Sequence, residues 1–254
     1  MRFFLGLTRP KKGISGACFS GTVIQAGQQV LRSKDQYPIF GELGSGLGSN
    51  CDYIIVDKND FYLSLPSSLT HEQAACLCDG TITSYYFLTR LIKPLKHQRL
   101  LINGATGSLG VAAIQLAKSI GLHVTAVWSQ KNFALARSYG ADRCVSYHEE
   151  NELNQLEPFD YIFDCVGKIK LKTAKSLMTS EGTYLSPVLK FSLILKSLLD
   201  NRYQFAAVGM LSKQTKEELI KEILFKIENK NIEIPVSKKY QFKNVIEAHE
   251  IIDA

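Results

Sequence analysis

The chain has 254 residues, of which 45% are apolar and 21% charged, enough to build one large packed domain or two modest ones. Its 30 Lys and Arg outweigh 24 Asp and Glu to leave a formal charge of +6, but the lysines are scattered, with no basic run interleaved with aromatics. That excludes a nucleic-acid partner and reads as solvated surface with a slight pull on anionic ligands.

The opening Met1-Arg2-Phe3-Phe4-Leu5-Gly6-Leu7 is too short for a signal-peptide core, and Arg9 to Lys12 interrupt it. Up to about residue 90 the chain reads as irregular β structure. Gly41, Gly44, Gly46 and Gly48 break the segment between Gly21-Thr22-Val23-Ile24 and Tyr53-Ile54-Ile55-Val56. A helix from Thr81 to Lys93 then leads into a second region.

From Leu100 onward, apolar runs rich in Val, Ile and Phe alternate with segments of helical period, the pattern of βαβ units around a parallel sheet. Strands are expected at Leu100 to Asn103, His123 to Ser129, Arg143 to Tyr147, Tyr161 to Val166, Gly182 to Val188 and Gln204 to Leu211. Helices are expected at Leu109 to Ile120, Lys131 to Tyr139, Ile169 to Met178, Phe191 to Leu199 and Lys216 to Glu228. Thr215 with Glu218 supplies a capping box for the last helix, and Asn229 a stop. Together these predict an α/β, doubly wound sheet.

The six cysteines, Cys18, Cys51, Cys76, Cys78, Cys144 and Cys165, show neither disulfide nor metal-ligand rhythm. Cys76-Leu77-Cys78 lacks the two-residue spacer and a partner pair, so reduced thiols in a cytoplasmic protein are expected, with no bound metal. No apolar segment reaches membrane-spanning length, and no membrane partner is expected.

The most informative segment is Leu100-Leu101-Ile102-Asn103-Gly104-Ala105-Thr106-Gly107-Ser108-Leu109-Gly110 and the helix that follows. Gly107 lets the backbone approach a pyrophosphate, Gly110 lets the helix pack tightly on the strand, and the N–H groups near Ser108 and Leu109 face the anion. Ala105 holds the first glycine position of the G-x-G-x-x-G pattern, which is therefore met only in part. The second strand ends at Val127-Trp128-Ser129, where NAD-preferring sites carry an acid, yet the chain has no acid between Gly104 and Ala141. Ser129 can donate to a ribose 2′-phosphate and Lys131 adds a positive charge, so NADP(H) is expected over NAD(H).

With these residues, the chain resembles the zinc-free quinone oxidoreductases and enone reductases of the medium-chain dehydrogenase/reductase superfamily. The likeness extends over Gln115-Leu116-Ala117-Lys118, Tyr139-Gly140-Ala141-Asp142 with Val145-Ser146-Tyr147, and Phe159 through Gly167. Upstream it includes Arg9-Pro10-Lys11, Gly16 through Gly21, Cys51-Asp52-Tyr53, Leu65-Pro66, Glu72 through Ala75 and Gly80 through Tyr85, and downstream Tyr240 through Glu250.

The resemblance implies a Rossmann NADP(H)-binding domain over 86–234 and a partial GroES-like, β-rich catalytic domain over 1–85, to which 235–254 return. It implies pyrophosphate contacts from Thr106, Ser108 and Leu109, phosphorylated-ribose contacts from Ser129, Lys131 and Tyr147, and contacts near the nicotinamide ribose from Val166 and Gly167. Thr83 would lie by the nicotinamide. Two readings stand open for Tyr147, a ribose contact or an aromatic packed at a strand end, and two for Thr83, a ring contact or a structural helix residue.

Gly16-Ala17-Cys18 stands where zinc-dependent members carry Gly-His-Glu, so zinc-independent chemistry is implied. The implied activity is hydride transfer from NADPH to a quinone or an α,β-unsaturated carbonyl (an enal or enone). The opening of the family's catalytic domain and its last strand have no counterpart here. A non-catalytic NADPH-binding protein and a fragment of a longer reductase are therefore the alternatives. No general acid is assigned: His71 and His123 lack acidic partners, His249 sits in a family-typical helix, and Tyr85 and Tyr86 read as packing before proton donation. The apolar strand at Gln204 to Leu211 is expected at a sheet edge, pairing two subunits as a homodimer.

Overall fold

A computed structural model describes residues 13–27, 36–43, 48–148, 152–153 and 155–253. Arg9-Pro10-Lys11, Gly44 and Gly46, named above, lie outside these. The chain divides into two compact units, one of residues up to Cys78 together with those from Pro235, the other Asp79–Ile234.

In the first unit, β1 (Cys18–Val23), β2 (Tyr37–Glu42) and β3 (Phe61–Ser64) form an antiparallel sheet in the order β1-β2-β3. Its small core is Phe19, Ile39 and Leu43, with Val23, Tyr37, Ile54 and Val56 packed against it. Gly41, expected to break the chain, instead sits inside β2: a Cβ there would lie 2.0 Å from the Phe61 carbonyl oxygen, so the close β2–β3 approach requires glycine. Tyr53-Ile54-Ile55-Val56 alternates as a strand does, with Tyr53 and Ile55 exposed, but joins no ladder among the described residues. Helix α1 (His71–Cys76) starts ten residues before the expected Thr81 because Thr70 and Gln73 close a capping box ahead of it. Helix α8 (Val245–Asp253) ends the described chain.

The chain passes from the first unit to the second within a π-helical turn, Leu77–Thr81, then runs through α2 (Ile82–Tyr86) and a second π turn, Phe87–Leu91. A parallel sheet follows, made of β4 (Arg99–Asn103), β5 (His123–Trp128), β6 (Arg143–Ser146), β7 (Phe159–Asp164), β8 (Met178–Ser186) and β9 (Tyr203–Phe205). Its order, β6-β5-β4-β7-β8-β9, reverses at β4. The intervening helices are α3 (Ser108–Ile120), α4 (Phe133–Ser138), α5 (Leu171–Leu177) and α6 (Phe191–Leu199), with α7 (Lys213–Glu228) after the last strand. The α/β class and the doubly wound sheet match the sequence expectation. Right-handed crossovers on either side of β4 put α3 and α4 on one face and α5 and α6 on the other.

Several boundaries differ: β8 starts at Met178, four residues before the expected Gly182. The strand expected to Leu211 stops at Phe205, and Val208–Met210 coil into a 3₁₀ turn, so the apolar run is mostly not ladder. Helix α7 begins three residues early because the Ser212 hydroxyl, not Thr215, caps it, accepting from the Thr215 N–H at 3.1 Å.

Candidate functional site

The strand order reverses between β4 and its neighbours, and such a switch point leaves a crevice at the carboxyl ends of the strands. Strand β4 ends at Asn103, and Gly104 turns the chain with φ +83°. A Cβ on Gly104 would sit 2.9 Å from Val166 Cγ1, so space as well as conformation demands glycine. The Gly104 N–H donates to the Val127 carbonyl at 3.2 Å, fastening the turn to the end of β5. Gly107 caps α3, whose first helical bond runs from Val111 N–H to the Gly107 carbonyl at 2.9 Å. The N–H groups of Ser108, Leu109 and Gly110 precede that bond and are open to an acceptor. At Gly110 a Cβ would fall 2.3 Å from the Gly104 carbonyl oxygen and 2.5 Å from Ala105 Cα, so the helix rests directly on the turn.

Two supports of this turn escape sequence reasoning. Gly80, in the first π turn, lies so close that its Cβ would be 2.7 Å from Ser108, and the Ser84 hydroxyl donates to the Leu109 carbonyl at 2.7 Å. The signal available was Gly80 inside an otherwise helical stretch, where glycine is costly unless something approaches closely. Thr83 is buried on α2, one residue before that Ser84 contact.

At the ends of β5 and β6 stand the residues expected near the ribose. Ser129 follows β5, and its Oγ is buried without a hydrogen-bond partner. Lys131 is exposed on the 3₁₀ turn Gln130–Asn132. Tyr147 follows β6, donates its N–H to the Trp128 carbonyl at 3.3 Å, and leaves its ring 50% exposed with the His148 ring 4.1 Å away. Ser129 and Lys131 thus stand two residues apart just past the end of β5, a hydroxyl and a cation of the kinds that recognise a phosphate.

Across the crevice, Val166 is exposed and Gly167 holds φ +66°, its Cβ position blocked by Val188 at 2.7 Å. The Lys190 ammonium donates to the Gly167 carbonyl. Ala105, Thr106, Gly107, Ser108, Leu109 and Gly110 thus form one turn, flanked on one side by Ser129, Lys131 and Tyr147 and on the other by Val166 and Gly167.

Beneath the turn lies a fully buried carboxylate, Asp164 at the end of β7. It accepts from the Asn103 amide at 2.7 Å, the Tyr184 hydroxyl at 2.8 Å and the Ile169 N–H at 2.8 Å, while its carbonyl accepts from the Ser186 hydroxyl at 2.8 Å. One side chain thereby joins the ends of β4, β7 and β8 to the loop after Gly167. Its three donors satisfy the buried charge. Burial, then the Asp164 charge, push the Tyr184 phenol far up, so it keeps its proton and donates it to Asp164. The same two causes raise the Cys165 thiol and make it a poor nucleophile. An acid within a buried apolar strand was the legible signal, since Asp is almost never buried unless paired.

Tyr85, weighed as a proton donor, is already committed: its hydroxyl donates to Glu222 at 2.8 Å, and Arg90 holds the same carboxylate at 2.6 Å. Burial and the Glu222 hydrogen bond push it up to about 12. Tyr86 packs edge-on against Phe87. His71 Nδ1 lies 2.8 Å from the Ser20 hydroxyl, and His123 stands beside His97. Among the described residues no group of three His, Cys, Asp or Glu side chains could hold a metal ion, and no helix is long and apolar enough to cross a membrane.

The zinc-binding dehydrogenase family model matches residues 108–224. Human mitochondrial NAD(P)H oxidoreductase RTN4IP1 is 33% identical over 188 residues, covering 70% of this chain and 47% of that protein. The trans-enoyl reductase pgmF of Aspergillus terreus is 31% identical over 162 residues, 60% of this chain and 45% of that protein. The chain thus spans under half the length of both relatives. Escherichia coli quinone oxidoreductase, solved with NADPH, shares the fold with a TM-score of 0.81 at 20% identity, covering 98% of this chain and 82% of that one.

Proposed function

From the premise that the chain belongs to the quinone oxidoreductase and enoyl reductase family of medium-chain dehydrogenase/reductases, we propose that it is an oxidoreductase that binds NADPH at the Gly104 turn and reduces a quinone or an α,β-unsaturated carbonyl. The observation that carries this reading is the glycine turn from Gly104 to Gly110 at the point where the strand order reverses, in a stretch from Gly104 to Ala141 without one acid and with Ser129 and Lys131 just past β5. A bound nicotinamide coenzyme supplies the hydride.

The protein's own residues bind and orient. The N–H groups of Ser108, Leu109 and Gly110 donate to the diphosphate, with the positive end of α3 behind them. Ser129, Lys131 and Tyr147 hold the phosphorylated ribose. Val166 and Gly167 line the far half of the crevice, and Thr83 borders it. Parallel titration with NADPH and NADH, followed by turnover on a panel of quinones and enals, tests the reading. Tight NADPH binding with turnover supports it, and absence of binding to either coenzyme removes it.

A second reading, an NADPH-binding protein without turnover, is favoured by the commitment of Tyr85 to Glu222, which with burial makes that phenol a weaker acid than an ordinary tyrosine. Binding of NADPH with no oxidation across the same panel would select it. The spacing of the cysteines, without a disulfide rhythm, fits a reducing compartment such as the cytoplasm. The short edge strand β9, with unpaired ladder groups on one side, fits self-pairing into a homodimer, which sedimentation at high concentration tests.

A further inference from the structure

Asp79 opens the second unit, inside the π turn Leu77–Thr81 and one residue before the Gly80 that abuts Ser108. A π turn within a helical run is uncommon and is found most often at functional sites. Residues four apart share one side of a helix. Gly80 and Ser84 are such a pair, and both meet the glycine turn, at Ser108 and at the Leu109 carbonyl. One residue later, Tyr85 points to Glu222 on α7. Asp79 and Thr83, each one residue earlier than that pair, therefore form the stripe on the other flank of the contact, away from α7. Thr83 is buried, and Asp79, one turn before it, reaches solvent.

The Asp79 carboxyl is uncommitted. Among the described residues no hydrogen bond or ion pair reaches it, whereas Asp164 holds three donors and Glu72, Asp142 and Asp200 are each paired with a cation. Its surroundings withhold part of its hydration and raise it above the ordinary 3.8, with no charged neighbour acting on it. Of the elements packed on α2, the opening of α3 and the Val208–Met210 turn carry no titratable side chain. Glu222 of α7 is held by Tyr85 and by Arg90 of the second π turn. A carboxyl with no partner, raised by its surroundings and in reach of water, suits the giving and recovery of a proton.

We propose that Asp79 is the proton donor of the crevice, a catalytic residue that hands its carboxyl proton to the substrate as the substrate takes up hydride. The inference rests on the coenzyme reading above and names the acid which that reading lacks. A quinone or an unsaturated carbonyl that gains hydrogen with its electron pair from NADPH is reduced and left with a negative charge centred on oxygen, while NADPH is oxidised to NADP+. The Asp79 O–H bond breaks, the proton bonds to that oxygen, and the carboxylate left behind recovers a proton from water. The enol formed in this way from an enone relaxes to the saturated carbonyl compound.

The test is turnover on the panel of quinones and enals across pH, beside NADPH titration and thermal melts, for the full chain and its Asp79→Asn and Asp79→Glu variants. Asp79→Asn is expected to lower kcat about a hundredfold, with NADPH affinity within about twofold and the melting temperature unchanged or higher, since the amide removes a poorly hydrated charge. In the unaltered chain kcat is expected to fall as pH rises past a midpoint above 3.8, because only the protonated carboxyl donates. That fall is absent from Asp79→Asn and returns in Asp79→Glu. A structural role would instead lower the melting temperature and leave the pH profile in place, which counts against the proposal. Turnover by Asp79→Asn equal to that of the unaltered chain overturns it and leaves the coenzyme reading standing. NADPH binding without turnover in the unaltered chain overturns it in favour of a non-catalytic protein, and binding of neither coenzyme removes both readings.

Discussion

The two sheets are held in different ways. In the parallel sheet Leu100, Leu101, Ile102, Ile162, Phe163 and Leu185 are all 0% exposed, buried on both faces, and one carboxylate gathers the polar ends of three strands. The antiparallel sheet has a core of Phe19, Ile39 and Leu43 and depends on backbone approaches such as that at Gly41. A loop grown from strands packed on both sides inherits their rigidity, and a coenzyme-binding turn needs that precision of placement.

The sharpest way to break this contrast is to add one side chain to each sheet's unit. Gly110→Val drives a branched Cβ into backbone 2.3 Å away and is expected to cost about 3 kcal/mol or more and to abolish coenzyme binding. Gly21→Ala in β1 meets nothing within 4 Å and is expected to change stability by under about 0.5 kcal/mol. Thermal melts with and without NADPH compare them; equal losses would erase the distinction.

Next comes the carboxylate. Asp164→Leu strands three buried donors and is expected to cost about 3–5 kcal/mol, read by denaturant unfolding. Asp164→Asn is expected to cost about 1 kcal/mol, because Asn103 can turn its amide and offer its oxygen instead. A similar loss in both variants would show that Asp164 acts through shape rather than hydrogen bonding.

The parallel sheet was largely legible in the sequence for the same reason that it is rigid. Strands buried on both faces read as unbroken Val, Ile and Phe runs, and the glycines of the turn announce close contacts. The GAD segment has its cause too: the Asp142 carboxylate accepts from the Val124 N–H at 2.7 Å and from the Lys118 ammonium, tying β5 to the end of α3. What stayed hidden depends on distant partners. Nothing local to Asp164 names Tyr184, and nothing near Gly80 names Ser108. Gly41 reads as a breaker until β3 is laid beside it. The run after Phe205 has strand composition, yet only three residues reach β8.

Smaller effects sharpen the comparison at each unit's surface. Ser129→Asp is expected to weaken NADPH binding at least about tenfold while leaving NADH within about twofold, since a carboxylate repels only the phosphorylated ribose. Unchanged NADPH affinity would place the phosphate elsewhere. In the first unit the Lys239 ammonium holds the Glu72 carboxyl down to about 2, from its ordinary 4.5. A folded-state value below the unfolded one gives a contribution complete above about pH 4.5 and lost as pH falls toward 2. Glu72→Gln should therefore lower the melting temperature slightly at pH 7, with the gap closing in acid; a constant gap would contradict the ion pair.

The central claim is that the turn from Gly104 to Gly110 and the Ser129 hydroxyl together hold a phosphorylated dinucleotide. Calorimetric titration of the full chain with NADPH and NADH in parallel tests it most directly. One site with NADPH favoured at least about tenfold is expected, the margin of a charge-assisted phosphate contact. Heat from neither coenzyme, or tighter binding of NADH, would contradict it.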